Sequence, residues 1–298
     1  MSLLVLGTVA LDSVRTPAGL RRKMLGGSAV HFSMSARLFT PVALVGVIGF
    51  DFPKEYIRLL RRKGINLDSL KRAKGKTFHW QGEYKGDMNS AITINTELGV
   101  LISSKPILAP EHRKIKNIFL ANIDPDDQRL VLDLVHQAEF VGLDSMNYWI
   151  DNKKKSLLKV MKRVHLFVAN EHEARSLTGE FNLIKAAKNL SSLGPEIIVI
   201  KKGEHGLIFY TSNFLFCLPA YPITGVVDPT GAGDTFAGAL MGYLSSHKKN
   251  SSNIKKALCN AVVCASFNVE GFGLDVTKDL EASQLCRRIR EFKKITSI

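Results

Sequence analysis

The sequence has few cysteines and no long apolar run. Its four cysteines form no CxxC pair and have no histidine partner nearby, which argues against a structural zinc site or a disulfide framework. The longest apolar run, Val42 to Phe50, is far too short to cross a membrane. The apolar residues Leu3 to Gly7 have no basic region before them, as in a first strand and unlike a signal peptide. We therefore expect a cytoplasmic protein without a membrane partner.

Acidic residues are also in short supply, with 27 Asp and Glu against 41 Lys and Arg and a net charge of +14. A charge of this size can indicate a nucleic-acid partner. The basic residues are scattered, however, and short clusters such as Arg61–Lys63 and Lys153–Lys155 are not interleaved with aromatic residues. We interpret the charge as a basic, solvated surface that attracts small anions, and we expect no nucleic-acid partner.

Two widespread phosphate-binding motifs are missing as well. In the stretch from Gly225 to Phe236, Phe236 stands where the dinucleotide-binding fingerprint needs its third glycine. The P-loop pattern, in which Gly-Lys-Ser/Thr closes a glycine loop, does not occur either. Neither of these two nucleotide-binding designs is expected.

What the sequence does contain is an alternation of strand-like apolar runs with helical patterns. This alternation predicts an α/β fold, a doubly wound and mainly parallel sheet flanked by helices. The predicted strands are Leu3–Leu6, Ala43–Ile48, Asn117–Leu120, Phe140–Leu143, Leu166–Val168 and Ile197–Ile200, and the predicted helices include Glu55–Arg62 and Gln128–Gln137. No internal repeat or linker interrupts the pattern, so residues 1–298 are predicted to form a single domain.

Two segments break this alternation. Val14 to Lys23 is polar and basic, and Thr77 to Thr96 alternates by twos on either side of the turn-prone Lys85–Asp87. The second segment is a predicted hairpin, and both would fit a small β lid beside the main sheet.

Chemistry is concentrated in the run Gly231-Ala232-Gly233-Asp234, which enters a helical pattern. The N-terminus of a helix presents free N–H groups and a partial positive charge, so this turn is suited to an anion. Asp234 would stand beside that anion. A carboxylate there is explained if it removes a proton from a hydroxyl that attacks a bound phosphoryl group. The alternative is an ordinary acidic residue in a first helical turn.

The whole segment from Asp228 to Phe236 resembles the C-terminal signature of the ribokinase family (pfkB-type carbohydrate kinases), which is Asp-Thr-x-Gly-Ala-Gly-Asp-x-Phe. It departs only at the second position, where Pro229 replaces the Thr. The resemblance implies a ribokinase-like fold and an ATP-dependent kinase that phosphorylates a hydroxyl group. Asp234 would be the general base, and Gly231, Ala232 and Gly233 would form the anion hole. It also implies that a lid, about residues 12–24 and 75–104, closes over the acceptor and forms a homodimer contact in many members.

On the acceptor side, Asp12 follows the first predicted strand, where a carboxylate can bind sugar hydroxyls; a polar strand end is the simpler alternative. Gly26, Gly27 and His31 resemble the family's Gly-Gly-x-x-x-Asn motif, in which the glycines and the Asn contact the acceptor. His31 replaces that Asn. It is expected either to change the choice of acceptor or only to pack beneath the lid.

On the nucleotide side, Asn170 and Glu173 resemble the family's Asn-x-x-Glu motif, which helps to hold phosphate and, through water, Mg²⁺. The same two residues are also nearly a capping box. A second group, Lys201, Gly203, Glu204 and Gly206, resembles the nucleotide-lining Thr-x-Gly-x-x-Gly motif, with Lys201 in the Thr position; an ordinary β-turn is the alternative.

The resemblance suggests two further positions. Asn260, on an apolar helical pattern, would lie near the adenine. Asp228 and Thr230 would support a monovalent cation such as K⁺.

The leading hypothesis is therefore a kinase that uses ATP and Mg²⁺ to phosphorylate a small sugar. A nucleoside kinase is the alternative, because Phe78, Trp80 and Tyr84 in the predicted lid could stack on a base. Phe78 and Trp80 share one strand face, however, and packing of the lid on its partner is the other interpretation of these two residues. A sugar-binding regulator without catalysis is a third hypothesis, against which the presence of Asp234 speaks. The sequence leaves the acceptor open among sugars, sugar phosphates and nucleosides.

Overall fold

The structure is a computed structural model that describes residues 2–297. Its strands form two sheets. The strands are β1 (Leu3–Leu6), β2 (Ala10–Thr16), β3 (Gly19–Gly26), β4 (Val42–Ile48), β5 (Ile65–Arg72), β6 (Phe78–Tyr84), β7 (Ala91–Glu97), β8 (Asn117–Leu120), β9 (Phe140–Asp144), β10 (Leu166–Asn170), β11 (Ile197–Lys201), β12 (Leu207–Thr211) and β13 (Phe214–Leu218). The helices are α1 (Ser28–Ala36), α2 (Lys54–Arg62), α3 (Pro125–Leu134), α4 (Asn147–Asn152), α5 (Lys154–Met161), α6 (Glu171–Thr178), α7 (Leu183–Ser192), α8 (Ala232–Ser246), α9 (Ser251–Asn268) and α10 (Ala282–Thr296).

The larger sheet has nine strands in the order β13-β12-β11-β10-β9-β8-β1-β4-β5. The seven strands from β11 to β5 are parallel, and β12 and β13 close one edge as an antiparallel hairpin. The central strands are continuous apolar runs because helices cover both faces of the sheet. All seven residues of β4 are buried, for example.

Two apolar cores lie on the two faces of this sheet. One contains side chains from α1, α8, α9 and α10, such as Phe32, Leu240 and Phe292. The other contains side chains from α3, α5, α6 and α7, such as Leu157 and Leu190.

The chain reverses its direction of travel across the sheet at β1. From β1 it builds outward through β4 to β5, and it then returns to the other side of β1 to build β8 to β11. Ligands of open α/β sheets bind at the carboxyl ends of the strands, near such a switch point. The turns after β1, β8, β9, β10 and β11 are therefore the places to look for a site.

The smaller sheet, in the order β3-β2-β6-β7, is the lid. Strands β2 and β6 are parallel, and Asp12 pairs with Trp80. Because side chains alternate along a strand, Asp12, Trp80 and Tyr84 lie on one face of the lid, which we call its inner face. The Tyr84 hydroxyl on this face lies beside the Thr230 side chain, just before α8. The inner face is therefore turned toward the main sheet.

The predicted doubly wound sheet and small β lid are confirmed. The hairpin of β12 and β13 was not predicted. The helix predicted at Gln128–Gln137 is α3, which starts earlier, because Asp124 accepts a hydrogen bond from the Asp126 N–H as N-cap and Pro125 occupies the first turn. Within residues 2–297, the structure has no helix with the length and apolar character needed to cross a membrane.

Candidate active site

The turn before α8 leaves backbone donors free. Gly231 is the N-cap of α8 and has a φ of 75°, a left-handed conformation that favours glycine. The N–H of Ala232 donates to the Pro229 carbonyl at 3.1 Å, so it is not available to a ligand. The N–H groups of Gly231 and Gly233 have no acceptor among residues 2–297. Free donors at a helix N-terminus are suited to an anion, so we call this turn the candidate anion site.

Asp234 stands in the first turn of α8 beside these donors and is only partly exposed. Burial raises the pKa of its carboxyl, and the neighbouring charges of His31 and Lys201 act in the opposite direction. A carboxyl that is desolvated beside an anion site has the environment of a general base.

Lys201 ends β11 and reaches this turn. Its Nζ lies 2.6 Å from the point that a Cβ on Gly233 would occupy, so any side chain at residue 233 would displace the ammonium. Burial raises the pKa of the Asp144, Glu173 and Asp234 carboxyls, and the charge of the Lys201 ammonium opposes this shift in all three. The tip of Lys201 thus lies among three carboxylates and against the anion site.

Asp144, at the carboxyl end of β9, is a site residue that the sequence analysis missed. It is buried, and its Oδ1 has no hydrogen-bond partner in the described part of the chain. Burial raises its pKa well above the ordinary range, and the nearby Asp234 adds to the shift. The signal was available, because Asp144 directly follows the predicted strand Phe140–Leu143. Asp12, which was expected at the end of the first strand, lies instead within β2 of the lid.

Asn170 and Glu173 form the capping box that their spacing indicated. The Glu173 N–H donates to Asn170 Oδ1 and the Asn170 N–H donates to Glu173 Oε2, both at 2.8 Å. Glu173 is buried, which raises its pKa, and it faces Lys201. Carboxylate oxygens are ligands that Mg²⁺ prefers, directly or through water. The unpartnered oxygen of Asp144 beside Glu173 therefore fits a divalent metal.

The loop after β11 forms a tight turn with one short helical segment, Gly203–His205. It closes through the Lys202 N–H, which donates to the Gly206 carbonyl at 2.7 Å. Glu204 is exposed and accepts a weak hydrogen bond from the lid residue Asn89 at 3.4 Å. The tip of the lid thus touches this loop.

Asn260 lies on α9 and is partly buried. Its side-chain amide donates to the Lys256 carbonyl one turn earlier, at 2.8 Å, so the hydrogen bond stays within the helix. Its expected place beside an adenine stays a prediction.

Asp12 meets the paired glycines on the inner side of the lid. Its Oδ2 accepts a hydrogen bond from the Gly27 N–H at 3.1 Å, and its carboxyl lies directly against Gly26. Burial raises the Asp12 pKa to about 7, with smaller contributions from Asp228 and Asp234. The structure thus brings together three of the four residues expected on the acceptor side.

His31, the fourth, is buried beneath the anion site. Its ring lies against Gly231, and burial lowers its pKa. Its Nδ1 is 3.2 Å from Asn268 Oδ1, an oxygen that also accepts from the Thr235 hydroxyl at 2.9 Å. Since the Asn268 amide group donates to the Thr230 carbonyl, its oxygen is the acceptor, and His31 carries a proton on Nδ1. Asn268, a second residue missed in the sequence, thus fixes the His31 tautomer.

Asp228 is fully buried, and its carboxylate holds the backbone around the turn. Its Oδ1 accepts from the Thr230 N–H at 2.9 Å and its Oδ2 from the Gly273 N–H at 3.0 Å. The two residues that were expected to support a monovalent cation are therefore adjacent, and their cation role stays a prediction.

Comparison with known proteins gives a family and a fold. The model of the pfkB family of carbohydrate kinases matches residues 10–279. A cytidine kinase of Thermococcus kodakarensis is 34% identical over 251 residues, 82% of this chain and 88% of the relative. A deoxyribokinase of Salmonella typhi is 34% identical over 274 residues, 83% of this chain and 82% of the relative. The crystal structure of the Methanocaldococcus jannaschii nucleoside kinase, at 20% identity, superposes with a TM-score of 0.78 and covers 97% of this chain and 98% of that one.

Proposed function

The chain belongs to the pfkB family of carbohydrate kinases, and from that premise we propose that it transfers the γ-phosphoryl group of ATP to a hydroxyl group of a nucleoside. The observation that carries the reaction is Asp234 at the head of α8, beside the free N–H groups of Gly231 and Gly233. This arrangement supports the proposal, because phosphoryl transfer requires a base and an anion site next to each other.

In the proposed reaction the γ-phosphoryl group binds at the N–H groups of Gly231 and Gly233, and the acceptor hydroxyl lies between it and Asp234. The proton of this hydroxyl passes to the Asp234 carboxylate, and the hydroxyl oxygen forms a bond to the γ-phosphorus. The bond from that phosphorus to the oxygen that bridges it to the β-phosphate breaks, and ADP leaves with the electron pair. Asp234 then releases its proton to water. Positioning and electrostatic stabilisation supply most of the rate, and the base adds about 10²–10⁴-fold.

Kinases of this family use ATP with a divalent metal. Asp144 and Glu173 are the residues that we expect to hold Mg²⁺, because both are buried carboxyls and one oxygen of Asp144 has no partner among the described residues. When bound, the metal would neutralise charge on the phosphates. Burial raises the pKa of both carboxyls, and a bound divalent cation would favour their charged forms.

A nucleoside is the acceptor class that the inner face of the lid supports. The indole ring of Trp80 covers Gly82 so closely that a Cβ there would lie 2.0 Å from a ring carbon. The indole N–H donates to the Thr93 hydroxyl at 3.2 Å, which fixes the ring. Trp80 is partly exposed and pairs with Asp12 across the strands. Asp12 would bind a ribose hydroxyl, and the fixed aromatic surface beside it suits a base. The 34% identity to a cytidine kinase supports the same class.

A free pentose is the second candidate, since a deoxyribokinase is also 34% identical and Asp12 suits a sugar hydroxyl in either acceptor. An acceptor panel separates the two classes. ADP release would be measured with cytidine, uridine, adenosine, inosine, ribose and deoxyribose, with Asp234→Asn as the blank. We expect kcat/KM to be highest for a nucleoside; turnover with free sugars alone would overturn the nucleoside assignment.

The Trp80→Ala variant sharpens this test. Loss of base stacking should lower kcat/KM for the preferred nucleoside by about 5–100-fold and leave that for ribose nearly unchanged. Gln81→Ala is the matched control, because Gln81 is the next residue of β6 and lies on the opposite face of the lid.

A further inference from the structure

We propose that Lys201 is a catalytic residue whose ammonium group contacts the γ-phosphoryl group during transfer. The inference rests on the proposed function, which locates that group at the turn before α8. The inference goes beyond the proposed function because it assigns stabilisation of the charge on the γ-phosphoryl group to a lysine, in a position where the family pattern has Thr.

The first argument is the position of the Lys201 side chain. Lys201 is the last residue of β11, at the edge of the sheet where ligands bind. Its Nζ occupies the space beside Gly233 that a side chain at residue 233 would fill, at 2.6 Å from that Cβ position. The N–H of Gly233 also has no acceptor within residues 2–297. An anion bound to this N–H would meet the ammonium.

The second argument is that the ammonium has no direct partner. Asp144, Glu173 and Asp234 surround it closely enough for its charge to lower their pKa values. Among the described residues, no carboxylate oxygen lies within 4.0 Å of Lys201 Nζ, the distance limit for an ion pair. Nζ also makes no hydrogen bond to any described residue. A half-buried ammonium that keeps its three donors free is prepared for a ligand, because a lysine held for structure alone would be paired.

The third argument is the balance of charge in the transition state. As the bond to ADP breaks and the bond to the acceptor oxygen forms, the charge on the transferred group spreads over its three equatorial oxygens. A backbone N–H stabilises that charge through a dipole, whereas an ammonium supplies a full charge. Lys201 takes no part in the proton transfer, so the proton balance with Asp234 as the base is unchanged.

The test compares Lys201→Met with Lys201→Arg, which restores the charge. We expect kcat to fall by about 10²–10³-fold in Lys201→Met and to recover in part in Lys201→Arg. Lys188→Met is the matched control, because it removes the same charge from an exposed position on α7. Circular dichroism and thermal melts would show that each variant folds; if Lys201→Met does not, Lys201→Arg and Lys201→Thr carry the test.

A binding measurement distinguishes this role from a structural one. The dissociation constants of ADP and of a non-hydrolysable ATP analogue would be measured by calorimetry for each variant, with Mg²⁺ and without an acceptor. If Lys201 contacts the γ-phosphoryl group, Lys201→Met should weaken binding of the ATP analogue by about 10-fold or more and leave binding of ADP nearly unchanged. Equal weakening of both nucleotides, or of neither, would overturn the proposal. Because no acceptor is present, this outcome is independent of whether the nucleoside assignment holds.

Discussion

The two sides of the proposed site are built on different principles. The side proposed to bind phosphate, which we call the phosphate side, consists of the turn before α8 with Asp234, together with Lys201, Asp144 and Glu173. Its groups are charged and act on one another through their charges. The acceptor side consists of Asp12, His31 and the inner face of the lid, and its groups are held by hydrogen bonds to distant parts of the chain.

The difference explains which half of the function is easier to assign. The phosphate side depends on a local device, a helix N-terminus with free N–H groups and a carboxylate in its first turn, which one short motif encodes. The acceptor side depends on contacts such as His31 with Asn268, which are 237 residues apart. The reaction can therefore be assigned with the local motif, while the acceptor depends on how distant segments meet.

The largest effect should come from Asp234→Asn on the phosphate side. The variant keeps the shape of the side chain but cannot take up a proton, so kcat should fall by about 10²–10⁴-fold or more. Nucleotide binding and the thermal midpoint should change little, because no hydrogen bond to another residue's side chain is lost. Steady-state kinetics with a calorimetric nucleotide titration would measure both. A folded variant with near-wild-type turnover would remove Asp234 from the role of base.

Asp144→Asn should have the next largest effect, through the metal. If Asp144 and Glu173 hold Mg²⁺, the Mg²⁺ concentration for half-maximal activity should rise by about 10–100-fold in Asp144→Asn. Glu173→Gln should act in the same direction, and the acceptor KM should be nearly constant in both. A Mg²⁺ titration at saturating ATP and acceptor measures the shift. A higher acceptor KM at unchanged Mg²⁺ dependence would place Asp144 on the other side of the cleft.

The sequence predicted much of the fold and part of the site for physical reasons. Parallel strands buried on both faces must be apolar, so β1 and β8 were predicted with their observed bounds. The capping box of Asn170 and Glu173 joins residues that are three apart, so it was also predicted from the sequence. Asp144 was overlooked although it directly follows the predicted strand Phe140–Leu143.

Other features had no local signal. Nothing near Asn268 indicates that its amide reaches His31, Thr235 and Thr230, because that depends on how α1, α8 and the end of α9 pack. The Lys201 ammonium beside Gly233 is likewise a contact between β11 and α8. Such contacts follow from tertiary packing and are not encoded in any one segment.

Asp12→Asn tests the acceptor side through the pH dependence of stability. Burial raises the Asp12 pKa from 3.8 to about 7, so between about pH 4 and pH 7 the unfolded chain releases a proton that the folded chain keeps. The free energy of unfolding of the wild type should therefore fall as the pH rises through this window. The variant lacks this loss and can still accept a hydrogen bond from the Gly27 N–H through its amide oxygen.

The melting temperature of Asp12→Asn should accordingly exceed that of the wild type by about 3–6 °C at pH 8 and match it at pH 4. The acceptor KM should rise at the same time. Asp151→Asn, an exposed position on α4, is the control and should show no pH-dependent difference. A variant that is less stable than the wild type at pH 8 would mean that the Asp12 carboxylate is already well paired there.

The smallest effect should come from the contact that joins the two sides, Asn89 at the tip of the lid. Its amide donates to Glu204 at 3.4 Å, and its Oδ1 lies against Gly203, so the lid touches the loop expected to line the nucleotide. If a bound acceptor holds the lid in this position, Asn89→Ala should raise the KM for ATP by about 2–10-fold when the acceptor is saturating. ATP binding without acceptor should be unchanged. Ser90→Ala, in the same turn, is the matched control, and an Asn89→Ala effect of equal size with and without acceptor would mean that the lid does not couple the two sides.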